Sequence, residues 1–355
     1  MFDNKLKSLA GFILLALLQS CSSIGPSSIP HDQFDYNTAI SKSWREQTLL
    51  NIVKLRYADM PVFVEVASVV SGYTLESAIS VGASVVPNAD LYSLGGTGKF
   101  VDRPTITYVP LTGDKFNRNM MTPIQPAKIM FLLMMGYSAK TVLPISIDSI
   151  NGLRSQRSGG ANLRTGDDEY YRVMELMSKI QQSGSITLAV DKVGNQEHSM
   201  VMLSKQDNSD DLNNLQSELK DLLGVDKTKN EFNLSYGELP RSNQEVTIMT
   251  RSILQIMIEL ATQISVPEEH IELGLTLATV YDDDKRVTRP KLIDIKVSPS
   301  KPEHAHTAVF YQDHWFWIDN YDFKSKSAFA YLMILFSLTE SGSKVGLPVI
   351  TIPAG

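Results

Sequence analysis

Along residues 38–57 the apolar side chains recur at helical spacing. Trp44, Leu49, Ile52 and Val53 fall on one face, Leu50 and Tyr57 widen it, and Arg45, Glu46, Lys54 and Arg56 occupy the rest. This predicts a helix, stopped by Asp59-Met60-Pro61. The period then drops to two. Val62, Val64, Val66, Ser68 and Val70 alternate with Phe63, Glu65, Ala67 and Val69, which predicts a strand ending at Gly72. In that alternation Glu65 shares a face with Phe63 and Val69. Over residues 73–86, Tyr73, Leu75, Ile79, Val81, Ala83 and Val85 alternate with Thr74, Glu76, Ala78, Ser80, Gly82 and Ser84, so one face is apolar and the other small or weakly polar. A Gly-rich tract, Leu94–Lys99, precedes another alternating run at Thr105–Val109. The spacing predicts a long β-hairpin with a flexible tip around residues 87–103.

Beyond this region the two periods keep changing places. Apolar helical spacing over Pro126–Tyr137 is followed by a strand pattern at Val142–Ile147 and a polar, Gly-rich segment at 155–166 that reads as a linker. Asp167, Asp168 and Glu169 open the next helix, where the backbone dipole favours negative charge, and Tyr170, Val173, Met174, Met177 and Ile180 line its face. Strands follow at Ile186–Val190 and Met200–Leu203, paired around Gly194-Asn195. Ser209 reads as the cap of a helix that Gly224 ends. Strands at Glu231–Ser235 and Glu245–Ile248 lead to a helix over Arg251–Ile264, and Pro267-Glu268-Glu269 opens a short turn or helix. Leu275–Tyr281 and Lys291–Val297 read as strands joined by the charged loop Asp282–Arg289. Thr307–Tyr311 and Trp315–Asp319 read as a hairpin, Ser325–Leu338 as a last helix, and Pro348–Ile352 as a closing strand. The helices Pro126–Tyr137, Arg251–Ile264 and Ser325–Leu338 each follow a strand or hairpin, so a degenerate βα repeat is one reading and ordinary internal helices the other. The fold class expected is α+β, with mixed or antiparallel sheets and packed helices in two subdomains, 36–154 and 167–355.

Composition fits a globular chain. Its 355 residues are 43% hydrophobic and 20% charged, with a net charge of −6. No basic block is present, so the electrostatic footprint of a nucleic-acid binder is missing. Beyond the N-terminus no run of about 18 uncharged apolar residues suggests a spanning helix.

The N-terminus changes the picture most. Lys5 and Lys7 precede the apolar run Leu9–Leu18, which is signal-peptide length and too short to span a bilayer. The run closes in Leu18-Gln19-Ser20-Cys21, and Cys21 is the single cysteine of the chain. This resembles the lipobox of bacterial lipoproteins, with Leu three positions before the cysteine and a small residue just before it; Gln19 departs from the usual small residue. The resemblance implies a signal peptide at 1–20, cleavage before Cys21, a diacylglyceryl thioether on its sulfur and an acylated amine. Two or three acyl chains hold a protein on a membrane stably, and Ser22-Ser23, with no Asp after the cysteine, resembles an outer-membrane address. The mature chain would lose two lysines and one aspartate and carry −7. Residues 21–35, rich in Ser and Pro, then read as a lipidated tether.

Candidate chemistry is sparse. Gly95-Gly96-Thr97-Gly98-Lys99 lacks the first glycine and the Ser/Thr of a phosphate loop, with Ser93 and Phe100 at those places. Glu303-His304-Ala305-His306, with His314 nearby, is the nearest approach to a zinc set but lies after a Ser/Pro loop, so no metal ligand is assigned. Asp282-Asp283-Asp284 has Val287 where a calcium loop needs Gly. Ser341-Gly342-Ser343 is no nucleophile elbow. No catalytic residue and no cofactor is expected. The aromatic hairpin supplies the candidate binding surface, Tyr311, Trp315 and Trp317, against the alternative of a core hairpin packed on the last helix.

The strings Arg103–Tyr108, Ser149–Arg154 and His314–Asp319 resemble those of uncharacterised Gram-negative lipoproteins, a resemblance that implies no activity. Together these readings give a lipid-anchored protein of the outer membrane, facing the periplasm, with an envelope protein as partner: a binding or assembly component. Two alternatives stand beside it. One is an oligomeric lipoprotein channel built from a hairpin within residues 62–110, since crossing β-strands need about 9–11 residues with one apolar and one polar face. The other is a periplasmic hydrolase.

Overall fold

The computed structural model describes residues 29–70, 73–86, 89–102, 105–157, 164–193, 196–203, 210–278 and 291–339. Cys21, the signal segment, the Ser209 cap, the Gly194-Asn195 turn, the charged loop at 282–289 and the Pro348–Ile352 strand lie outside them. The chain divides into two compact units, Met1–Thr48 and Leu49–Gly355. In the first, the described residues belong to helix α1 (Ile29–Arg56), which ends in the second. The helix therefore starts well before residue 38, and residues 29–35 are helical rather than tether. Pro30 at the second position costs little, because its missing N–H would have no partner there.

The second unit is α+β. After α1 come β1 (Val64–Val70), β2 (Tyr73–Val86), β3 (Ala89–Asp102) and β4 (Thr105–Pro110), then a short helix α2 (Gly113–Phe116) and a π-helical turn at Asn117–Met121. Helices α3 (Pro126–Met134) and α4 (Ala139–Ser146) lead to β5 (Ile147–Ile150) and β6 (Leu153–Arg154). Helix α5 (Asp168–Gln182), strands β7 (Ile186–Val193) and β8 (Gln196–Leu203), helix α6 (Asp210–Leu223) and strands β9 (Glu231–Tyr236) and β10 (Glu245–Thr250) follow. Helices α7 (Ile253–Ala261) and α8 (Glu268–Glu272), strands β11 (Lys296–Ser298), β12 (Ala305–Tyr311) and β13 (His314–Asp319), and helix α9 (Phe323–Thr339) complete the described chain.

The main sheet has the order β6-β5-β10-β9-β8-β7. It is mixed: β9 and β10 run parallel and the other neighbours antiparallel. Its strands come from both sides of residues 155–166, so one sheet bridges the expected linker. There Arg157 and Arg164 exchange backbone hydrogen bonds. The β5–β6 turn is Asn151-Gly152, with φ of 46° and 85°, the left-handed pair that a two-residue hairpin requires. Asn151 also ties the turn inward, donating to the Leu223 carbonyl and accepting from the Thr247 N–H.

The strand expected over Val142–Ile147 is helix through Ser146, and only Ile147 falls in a strand, as the first residue of β5. Residues 139–146 form α4, with Pro144 inside it and Ala139, Val142, Leu143, Ile145 and Ser146 buried. A short run that is apolar all round has no period of its own, and tertiary packing decides its form. Leu275–Leu277 is likewise not a strand, and of Lys291–Val297 only the end pairs, as part of β11.

Helix α5 follows expectation, with Tyr170, Val173, Met174, Met177 and Ile180 buried and the Tyr170 hydroxyl donating to the Ile147 carbonyl at 2.8 Å. Helix α7 opens with a reciprocal capping box between Ser252 and Gln255. The small sheet β11-β13-β12 turns Phe316 and Ile318 into the core, both with no exposed surface.

Candidate functional site

The feature that stands apart from these layers is the segment from β1 to β4. β1 pairs with β4 and β2 with β3, and among the described residues neither ladder has another sheet neighbour. The tip expected at 87–103 is corrected: β3 occupies residues 89–102 and pairs with β2 through fourteen rows, from Tyr73↔Asp102 to Val86↔Ala89. The Gly-rich tract lies inside this ladder, Gly95 opposite Ser80, Gly96 opposite Ile79 and Gly98 opposite Ser77. Glycine weakens a strand but leaves its backbone free to pair. At about 3.4 Å per residue the ladder is about 45 Å long.

Directly opposed residues share a face, so the register sorts the sequence. One face of β2–β3 carries Tyr73, Leu75, Ser77, Ile79, Val81, Ala83 and Val85 with Phe100, Gly98, Gly96, Leu94 and Tyr92, and ends in Asp102 and Asp90. The other carries Thr74, Glu76, Ala78, Ser80, Gly82, Ser84 and Val86 with Val101, Lys99, Thr97, Gly95, Ser93, Leu91 and Ala89. Glu76 stands directly opposite Lys99.

In β1–β4 a register shift between Val66 and Ser68 changes the parity. Counted along the unshifted partner β4, Glu65, Ser68 and Val70 fall with Thr105, Thr107 and Val109, while Val64, Val66 and Val69 fall with Ile106, Tyr108 and Pro110. Glu65 therefore does not share a face with Val69. The bulged residue absorbs one step of the alternation, and each ladder has one face richer in apolar residues and one richer in polar and small ones.

The base of this ribbon is fixed. The Asn51 side chain, 1% exposed, donates to the Val62 carbonyl and accepts from the Val62 N–H. Phe63 is buried between Phe116 and Phe336, and the Leu111 N–H donates to the Phe63 carbonyl. Just beyond that anchor, Tyr108 and Val109 are 52% and 46% exposed.

The aromatic hairpin divides its residues. Trp315 and Trp317 share the outer face with Phe310 and Ala308, whereas Tyr311 pairs with His314 on the core side with Val309 and Phe316. The surface expected from Tyr311, Trp315 and Trp317 is thus two surfaces. Lys301 lies over Trp315 and Lys296 over Trp317, at 5.3 and 5.1 Å from the ring centres, so cations cover the outer indoles. Packing on the last helix comes from the opposite face, where Phe316 and Ile318 are buried.

A cavity of about 190 Å³ is lined by Lys140, Ser155, Tyr170, Arg251, Glu259 and Lys324, among others. Arg251, 5% exposed, donates to the Pro144 and Ile145 carbonyls and to Ser155 Oγ. Asp148 receives Arg157, Arg164 and Arg251 at 3.1, 3.4 and 3.5 Å. The Ser155 hydroxyl donates to Asp148 and accepts from Arg251. No imidazole is among the lining residues, and the geometry holds Ser155 in place rather than activating it. The cluster ties β5 to the start of α7 and to the 155–166 segment.

His304 and His306 do not join His314. His304 stacks edge-on against Tyr321, and His306 sits at the register shift of β12. His314, at the other end of the hairpin, meets His270 and Glu269 of α8 instead. Sequence reasoning missed this trio, because 44 residues separate its two halves and Glu-His side by side is no ligand motif.

No protein-family model, curated protein or solved structure matches the chain.

Proposed function

We propose that the mature protein is a lipid-anchored component of the outer membrane that assembles with copies of itself, through the β1–β4 ribbon, into a β-barrel channel serving an envelope complex. The observation that carries this reading is the fourteen-row β2–β3 ladder with no further sheet partner among the described residues. A two-stranded ribbon is at best marginally stable in water, and both its outer edges present unpaired N–H and C=O groups. Lateral pairing with neighbouring copies satisfies those edges, and closure into a ring removes them. In lipid nothing short of closure suffices. Each copy gives two strands, so the barrel has an even strand number.

The dimensions agree. Tyr73 and Tyr92 stand ten rows apart on the apolar face, about 34 Å along the strand and about 26 Å in height at a tilt near 40°. A barrel's apolar band is about 25 Å tall, with aromatic residues at both rims. The face with Glu76, Lys99 and the serines would line the lumen. Among the described residues no helix is long and apolar enough to cross a membrane, and the barrel needs none. The lipid on Cys21 would hold each copy at the membrane surface while the ribbons assemble.

Light scattering on the lipidated protein extracted in mild detergent, with Cys21→Ala alongside, tests the reading. A discrete ring-sized oligomer that conducts ions in a planar bilayer supports it. A monomer without conductance overturns it and leaves the anchored binding component, for which the half-exposed Trp315–Trp317 face is the observation to pursue by crosslinking.

A further inference from the structure

We infer that Glu269, His270 and His314 form a binding site for a divalent cation of the zinc class. Glu269 Oε1 lies 3.5 Å from His314 Nε2 and 3.9 Å from His270 Nε2, and one ligand atom from each residue falls within 4.8 Å of the others. Zinc holds nitrogen and oxygen ligands at about 2.0–2.2 Å, which places neighbouring ligands in a tetrahedron about 3.3–3.5 Å apart. The Glu269–His314 separation already matches. Swinging Glu269, whose side chain is 62% exposed, closes its gap to His270, which is buried in the core; the gap between the two imidazoles, within 4.8 Å, closes by a small turn of the His314 ring.

The surroundings hold the imidazoles as a metal site needs them. A ligating histidine normally gives its second ring N–H to a neighbour, which fixes the ring and the tautomer. His270 Nδ1 lies 2.7 Å from the Tyr57 hydroxyl, and His314 Nδ1 lies 3.3 Å from the Gln312 carbonyl. With the protons on Nδ1, both Nε2 lone pairs face Glu269. The two imidazoles meet edge to face at 4.9 Å. Asp313 adds negative potential, and Asp59 accepts the Tyr311 hydroxyl beside Tyr57.

Three protein ligands leave a fourth position toward solvent on the Glu269 side. The bound ion would join three segments distant in sequence: the end of α1 through Tyr57, helix α8, and the turn of the β12–β13 hairpin. It would act as a clip at the base from which the ribbon leaves.

The test uses the full-length lipidated protein in detergent, without a histidine tag and stripped by a chelator. Zn²⁺ is titrated against a chromophoric competitor, and Co²⁺ is read by its visible absorption. One ion per chain is expected, with the intense bands of a four-coordinate site. Glu269→Gln and His314→Asn should each abolish it, and Tyr57→Phe should weaken it by about 10–100-fold. His304→Ala with His306→Ala should leave it intact. Glu269→Gln changes an exposed side chain and His314→Asn the first residue of β13, and circular dichroism establishes whether both variants fold. Unchanged one-to-one binding in either of those two variants, or no retained ion in the wild type, overturns the site.

Discussion

At the scale of single residues, polar side chains with saturated partners hold the molecule together. Tyr331 and Ser146, both almost without exposed surface, share a hydrogen bond of 2.6 Å between α9 and α4. Asn51 bonds the backbone of Val62 and Asn151 that of Leu223 and Thr247, which satisfies donors and acceptors that would otherwise cost stability. Lys296 shows how one residue serves two neighbours: its ammonium lies over Trp317 and bonds Asp319 at 2.8 Å. That bond holds the Asp319 carboxyl below its usual pKa and raises Lys296 above its own. For the carboxylate, the added stability is present above the unfolded value, about 3.9, and disappears as pH falls through the lower folded value. For the lysine it is present below about 10.4 and disappears as pH rises through the raised folded value. Lys296→Met should therefore return the Asp319 pKa toward the ordinary carboxylate value. NMR titration of the carboxyl carbon reads this directly, and an unmoved Asp319 would show that the pairing is absent in solution.

At the scale of elements, the ribbon shows why a pattern of two must be read together with its register. Residues 73–86 alternate cleanly, and the apolar face of β2 was legible in the chain. β3 was not, because Gly95, Gly96 and Gly98 give it no propensity and no visible alternation; its form comes from pairing row by row with β2. The bulge in β1 was equally invisible, yet it decides on which face Glu65 falls. The two faces separate experimentally. Ile79 stands midway between the Tyr73 and Tyr92 rows on the apolar face, and Ser80 on the other. In a barrel, Ile79→Arg should cost about 2–4 kcal/mol per copy and abolish the detergent-stable ring. Ser80→Arg should leave the ring intact and shift conductance toward anions. Equal loss from both substitutions would count against a two-faced barrel wall.

At the scale of the whole molecule, the core and the β2–β3 ribbon belong to separate sheets. Among the described residues, the mixed sheet, the helices around it and the Asp148–Arg251 cluster make no sheet hydrogen bonds to β2 or β3. Replacing residues 71–104 by a short turn should leave a soluble-core melting temperature within a few degrees of the full protein. It should also convert any oligomer to monomer. Differential scanning calorimetry and light scattering on the same sample check both. A collapse of the melting transition would mean that the ribbon is part of the core after all.

The sequence by itself determined the strongly periodic elements and their order: α5 from its 3–4 spacing and acidic first turn, the aromatic hairpin from alternation, and the α+β class from their succession. These are local signals, carried by residues a few positions apart. Only the tertiary structure decided that 139–146 is helix around Pro144, that β9 and β10 lie parallel, that one sheet spans residues 155–166, and that Tyr311 turns away from Trp315 and Trp317. It alone brought His314 to His270 and Glu269. Each of these depends on pairing partners or burial contributed from distant parts of the chain, and no local spacing encodes which partner arrives.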